Sequence, residues 1–262
     1  MSAAPPVLVS ADGAVGIVEL ARPDKFNCLS LAVHQAIDAA LDRFEAPGSG
    51  VRVVLLRAQG KHFCTGADLD EVTALREDRE ALARFISTGH AVLRRLEASR
   101  LPVVAACQGL SLAGGLELML ACDVVFAARD SRFGDQHAQF GLIPGWGGSQ
   151  RLPRLVGVRR ALDLFYSARW LDAQTALDWG LVNHVCEPDA LAGAALDYCR
   201  AIAGRSRTGI GTMKRLARDG LETGLEAGLA LEERLAPDAL LERDVSEGLD
   251  AFRARRAPKF DA

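Results

Sequence analysis

No apolar run in the 262 residues approaches the roughly 20 that a membrane-spanning helix needs, so the sequence predicts no membrane span. Charge of one sign is also lacking: 31 basic against 34 acidic residues leave a net charge of -3. No global field therefore favours nucleic acid or an anionic membrane, although Arg253, Arg255 and Arg256 form a local basic cluster open to a phosphate-bearing ligand. The six cysteines (Cys28, Cys64, Cys107, Cys122, Cys186 and Cys199) contain no C-x-x-C, and no histidine pair has zinc-ligand spacing. These absences argue against a structural zinc site and predict reduced thiols in a cytoplasmic protein. The opening MSAAPPVLVS lacks the charged start and long apolar core of a signal peptide. No low-complexity linker or short repeat divides the chain.

What is present is an ordinary globular composition, 49% hydrophobic and 25% charged, at a length that suits one large domain or a domain with an appendage. VLVSADGAVGIVEL reads as a hairpin turning at Asp12-Gly13. LSLAVHQAIDAALDRFEA has helical periodicity with Ser30 as its N-cap. VRVVLLRAQG, VVAAC and DVVFAA read as buried strands, and the polar-faced stretch between the first two as one long helix or two. This alternation argues for an α/β layered domain. From about Ala161 the pattern is nearly all helical, broken near WGLVNHVCEP and GRSRTGIG. The expected division is an α/β core over residues 1–199 and a helical region over 200–262.

One acid lies inside the apolar stretch GLSLAGGLELMLACD: Glu117, among Leu116, Leu118 and Met119. An ionised carboxylate buried without a partner is expensive, so its placement calls for a reason. Three readings compete. GLSLA is one residue from the G-x-S-x-G elbow of serine hydrolases, but Ala113 replaces the last glycine, and the late histidine, His184, lies in an undistinguished VNHVCEP. Alternatively, Glu117 complements the dipole of a helix start. Third, the glycines at the helix start expose unpaired N–H groups to a guest oxygen that becomes negative during reaction. Glu117, three residues beyond Gly114, then shares their face and exchanges a proton beside the polarised carbonyl. A second glycine-containing strand-to-helix turn, GKHFCTGADLDEV, centres on Thr65-Gly66-Ala67-Asp68. Asp68 is a credible cap there, and the Ala67 N–H is a second donor.

GKHFCTGADLDEV, GLSLAGGLELMLACD and GLIPGWGGSQRLPRLVG, with ARPDKFNCLS and SEGLDAFRARRAPKF at the ends, together resemble the enoyl-CoA hydratase/isomerase (crotonase) superfamily over nearly the whole chain. The resemblance implies a spiral of ββα turns with a helical C-terminal region that builds trimers, often paired into hexamers. It implies acyl-CoA thioester chemistry in which coenzyme A is part of the substrate, with no metal or nicotinamide. Ala67 and Gly114 would supply the two oxyanion-hole N–H groups. Family hydratases use two glutamates on water and the α-carbon; Glu117 matches the first, and His137 stands at the second, four residues before Gly141. The resemblance thus implies hydration of a 2-enoyl-CoA with Glu117 as base and His137 as acid. The alternatives are an isomerase, a hydrolase on the same oxyanion hole, or a weakly catalytic acyl-CoA-binding protein. Restoring the acid as His137→Glu is expected to raise hydration if the lost glutamate is what limits it. Arg22 and Lys25 fall where relatives approach the CoA nucleotide, and Gly66 and Asp68 in the donor loop. Trp146 shapes the acyl pocket or packs its loop, and Lys259 and Phe260 match a segment that often reaches a neighbouring subunit's CoA.

Overall fold

The computed structural model describes residues 4–260. The chain opens with the hairpin β1 (Val7–Asp12) and β2 (Val15–Leu20), followed by α1 (Leu31–Glu45) and β3 (Val53–Ala58). Two helices come next, α2 (Leu69–Leu75) and α3 (Arg79–Ala98), then β4 (Val103–Cys107), β5 (Leu110–Leu112), α4 (Gly114–Leu120), β6 (Val124–Ala128) and β7 (Arg132–Gly134). After a one-turn 3-10 helix at His137–Phe140 come α5 (Gly148–Val156), α6 (Val158–Ser167), β8 (Leu171–Asp172), α7 (Ala173–Asp178) and β9 (His184–Cys186). Four helices close the chain: α8 (Leu191–Ala203), α9 (Arg207–Glu222), α10 (Leu225–Leu240) and α11 (Arg243–Arg253).

Six strands form the main sheet in the order β1-β2-β3-β4-β6-β9, parallel from β2 onward, while β5, β7 and β8 form a smaller second sheet. The run VVLL in β3 is apolar throughout because helices cover both faces of a parallel sheet. Val54 and Leu56 point into the larger core beneath α1 and α3, whereas Val53 and Leu55 meet Leu191, Ala195 and Cys199 of α8. Ser30 caps α1, its hydroxyl accepting from the Val33 amide, and the polar stretch divides into two helices capped by Asp68 and Asp78.

Between β4 and β5 the chain leaves one sheet for the other at Gly109. Its φ of +57° and its position against the Lys61 carbonyl leave no room for a side chain. The GKHFCTGAD loop is stitched to both layers, with Cys64 bridged to Ser111 and Ala67 to Leu29. The turns after β3, β5 and β7 thereby meet at the carboxyl ends of their strands, where parallel α/β sheets place their sites.

The helical expectation beyond Ala161 needs correction in two places. β8 pairs Leu171 with Phe133, and β9 completes the main sheet beside β6. Strands of two and three residues carry too few alternations to register as a period. The break at GRSRTGIG is also narrower than expected, because Ser206 caps α9 from Arg207 and Gly209 and Gly211 lie inside the helix. Gly211 has a packing reason, since a β-carbon there would lie 3.1 Å from the Arg100 carbonyl oxygen. Helix α8 runs through position 199 and stays on the sheet to Ala203, so the change of architecture falls at residues 204–206.

Candidate active site

The β5–α4 turn brings the two expected donors together. In the bridge between Leu29 and Ala67, Leu29 N donates to Gly66 O and Asp68 N to Leu29 O, so both bonds pass beside the Ala67 amide and leave it free. Gly114 is the first residue of α4, and its N–H is one of the donors a helix start leaves unpaired. A β-carbon on Gly66 would lie 3.3 Å from the Gly114 nitrogen, and one on Gly114 would lie 3.3 Å from the Ala67 nitrogen. The two amides are neighbours across a gap that only glycine keeps open. Ala113, just before them, holds φ +48° and ψ -119°, a conformation that L side chains resist. It is pinned by its own N–H to Gly134 O (3.0 Å) and by its carbonyl, which accepts from Glu117 N (3.0 Å).

Glu117, one helical turn on, is 1% exposed. Its Oε1 accepts from the Trp146 and Gly148 amides, each at 2.7 Å, so the PGWGG loop holds the carboxylate by its backbone. Its Oε2 is buried without a hydrogen-bond partner and lies 3.8 Å from His137 Nε2. Burial raises the Glu117 pKa above the ordinary carboxylate value, and the two loop amides and His137 offset only part of that rise. On the other side of the imidazole, His137 Nδ1 lies 3.0 Å from Asp135 Oδ1, and Asp135 is itself 1% exposed. Burial pulls His137 down, but the Asp135 bond and the charges of Asp135 and Glu117 outweigh it and leave the imidazole above its ordinary value.

Other expected site residues have their own partners. Trp146 is buried, its indole edge-on to His34 at 4.6 Å and tilted on Phe85 at 5.3 Å, so it packs the loop under Gly114 and Glu117. Arg22 and Asp68 meet each other at 2.7 Å, and Arg22 also donates to Cys28 O, so this pair ties the ARPDKF turn to the donor loop. Lys25 pairs with Asp70 at 2.7 Å on the open surface. Lys259 N donates to Glu247 Oε1, and Phe260 O accepts from Arg52, which precedes β3. That is the amino end of the strand whose carboxyl end carries the donor loop, so one copy of the chain does not bring Lys259 and Phe260 to Glu117. Ser111 lies buried within β5, while His184 in β9 stacks on Phe126 of β6, which disposes of the serine-hydrolase reading. Among the described residues no group of three or more His, Cys, Asp or Glu could hold a metal ion.

Two contributors were not assigned from sequence. The Trp146 and Gly148 amides, which grip Glu117, leave only the glycines of PGWGG as a trace. Arg151 donates to Trp146 O at 2.6 Å and pairs with Glu97, bracing the same loop from α3.

A family model described as enoyl-CoA hydratase/isomerase matches residues 10–262. A probable enoyl-CoA hydratase of Rhizobium meliloti is 37% identical over 254 residues, covering 97% of each chain. A short-chain-enoyl-CoA hydratase of Clostridium acetobutylicum is 32% identical over 252 residues, covering 95% of each. The crystal structure of an enoyl-CoA hydratase from Bacillus anthracis superposes with a TM-score of 0.92 at 34% identity, covering 97% of this chain and 98% of the other. With the paired amides, the buried acid and this likeness along its length, the chain belongs to the enoyl-CoA hydratase/isomerase family.

Proposed function

We propose that this protein hydrates a 2-enoyl-CoA to the 3-hydroxyacyl-CoA. The observation that carries the reading is the adjacency of two free amides, Ala67 and Gly114, to a buried carboxylate whose unpartnered oxygen faces an imidazole. The thioester oxygen accepts from both amides, which stabilise the negative charge that develops as water adds to the β-carbon. Glu117 takes a proton from that water, and its raised pKa makes it a stronger base than a free glutamate. His137 supplies the proton that the α-carbon gains. The 3.8 Å between Oε2 and Nε2 is too long for a hydrogen bond and suits a water shared by both.

Coenzyme A enters as part of the substrate, and the proposed steps draw on no metal or redox cofactor. Lys25 is the accessible cation for the nucleotide end, because an exposed pair such as Lys25–Asp70 contributes little and exchanges readily for a phosphate. Arg22, Gly66 and Asp68 then shape the donor loop, while Lys259 and Phe260 approach the CoA of a neighbouring copy in a trimer or hexamer. No described helix is long and apolar enough to cross a membrane. A cytoplasmic setting agrees with the six unpaired thiols.

The test follows the conjugated thioester absorbance of a short 2-enoyl-CoA mixed with purified protein. Its loss with formation of the 3-hydroxy product is the expected result. Glu117→Gln is expected to lower kcat by about 10²- to 10⁴-fold, with KM little changed. Acyl-CoA that binds without losing its absorbance would overturn hydration in favour of isomerisation or binding alone, and release of a free thiol would reassign the site to hydrolysis.

A further inference from the structure

Asp135 stands two residues before His137, and its surroundings are unusual for a carboxylate. It is 1% exposed, its Oδ2 is buried without a partner, and the bonds to its Oδ1 both come from His137: the ring Nδ1 at 3.0 Å and the backbone N at 3.3 Å. A buried carboxylate needs a counter-charge close by, and the His137 imidazole is the group in place to give it. Glu117 lies on the ring's other side, also buried with one free oxygen. One imidazole is thus held between two buried acids.

We propose that Asp135 is the positioning residue of the site: it fixes the proton on His137 Nδ1, turns Nε2 toward Glu117, and keeps the ring in the cationic form that donates to the α-carbon. This inference rests on the hydration reading. The protons balance as follows. Glu117, ionised, removes one proton from water as the hydroxyl oxygen bonds to the β-carbon and the double-bond electrons move to the thioester oxygen. The resulting enolate collapses to form a C–H bond at the α-carbon with the Nε2 proton, leaving a neutral imidazole and a protonated Glu117. Transfer of that proton from Glu117 to Nε2, across the gap the shared water had bridged, restores both groups. The net change is one water added and nothing gained or lost by the protein. Asp135 stabilises the cation without taking its proton.

The groups acting on the imidazole are Asp135 from its own segment and Glu117 from α4. Helix α6, packed against the same turn, carries Arg159, Arg160 and Asp163; Arg160 lies over the Trp179 ring, and Asp163 pairs with Arg169.

Asp135→Asn separates charge from shape, because the amide oxygen can still accept from both His137 groups. The experiment follows ¹⁵N-labelled histidine by NMR across pH, with the His137 signals assigned by their loss in His137→Gln, alongside kcat and KM over the same range. In the unaltered protein Nδ1 is expected to stay protonated, Nε2 to titrate above 6.5, and kcat to fall as pH rises through that titration. In Asp135→Asn the titration and the alkaline limb should move down together by about one pH unit or more. At pH 8 kcat should drop at least tenfold while KM stays within about threefold. Adding Asp135→Asn to His137→Gln should then cost nothing further. An unmoved titration and limb in Asp135→Asn, or a full additional loss in the double variant, would overturn the proposal. A titration that depends on Asp135 in a protein that never hydrates a 2-enoyl-CoA would leave the pairing standing and remove the hydration reading alone. Should Asp135→Asn fail to fold, the titration in Asp135→Glu decides: a retained Nδ1 proton and a raised value support the pairing, and their loss with the fold intact refutes it.

Discussion

A single methyl group shows how tightly the site is built. Ala113 sits at φ +48° between the two layers that must meet for the donor amides to converge. Such a conformation stores about 1 kcal/mol or more in a residue with a β-carbon. Ala113→Gly is therefore expected to raise the unfolding free energy by about 1 kcal/mol, measurable in urea, with kcat little changed. The neighbouring acids respond to pH with signs that can be worked out. His137 is raised in the folded state, so its contribution to stability is complete below about pH 6.5 and fades as pH climbs through the folded value. Asp135→Asn should accordingly lower the melting temperature most near pH 6. By pH 9, with the imidazole neutral, that difference should shrink. The same surroundings revise the expectation for His137→Glu. Beside buried Asp135 and Glu117, a third carboxylate meets like charges on both sides, so this change alone is expected to lower hydration rather than raise it.

Helices and strands differ in how plainly the sequence announces them. Ser30, Asp68 and the Asp12-Gly13 turn are legible because each is a local device, and the hydroxyl, carboxylate and glycine act within a few residues of themselves. Glu117 is legible as a candidate site acid because an apolar helix makes a lone carboxylate conspicuous. The hold on Glu117 is not legible, since it comes from main-chain amides twenty-nine and thirty-one residues away, which have no side-chain signature. Nor is the tie between α9 and the core. Lys214 reaches inward to Leu96 O, Leu101 O and Asp123, and Arg218 bonds both Asp123 and Glu97. In sequence these residues look like the solvated face of a charged helix. Lys214→Ala removes one of the two cations on Asp123, and because Arg218 remains it is expected to cost only about 1–2 kcal/mol in chemical denaturation. Glu97 also braces Arg151, which holds the Trp146 carbonyl, so Arg151→Gln should reduce kcat by about tenfold or more through a loosened Glu117.

At the scale of the whole molecule, α9 and α10 bury no residue within one copy of the chain. Leu221 is 87% exposed and Leu225 75%, with Met213, Leu229, Leu240 and Leu241 also open to water. Exposed apolar patches are characteristic of protein contacts, and we propose that assembly with further copies covers this one. Light scattering is expected to give a trimeric or hexameric mass, and the double change Leu225→Asp with Leu241→Asp to shift it toward the monomer. The C-terminal helices announce themselves in sequence by their period, but no described part of the chain covers their apolar side, and intrachain patterning is silent about what would.

The burial of Trp146 has a practical consequence of an optical kind. Of the three indoles, Trp170 is about half exposed and Trp179 lies beneath the guanidinium groups of Arg160 and Arg169, while Trp146 is sealed against His34 and Phe85 beside the donor amides. A water-borne quencher will silence Trp170 first and leave a blue-shifted emission from the loop that grips Glu117. On the proposed function this indole is a built-in fluorophore beside the candidate site, and acyl-CoA arrival is expected to change its emission in a stopped-flow mixer without any added label.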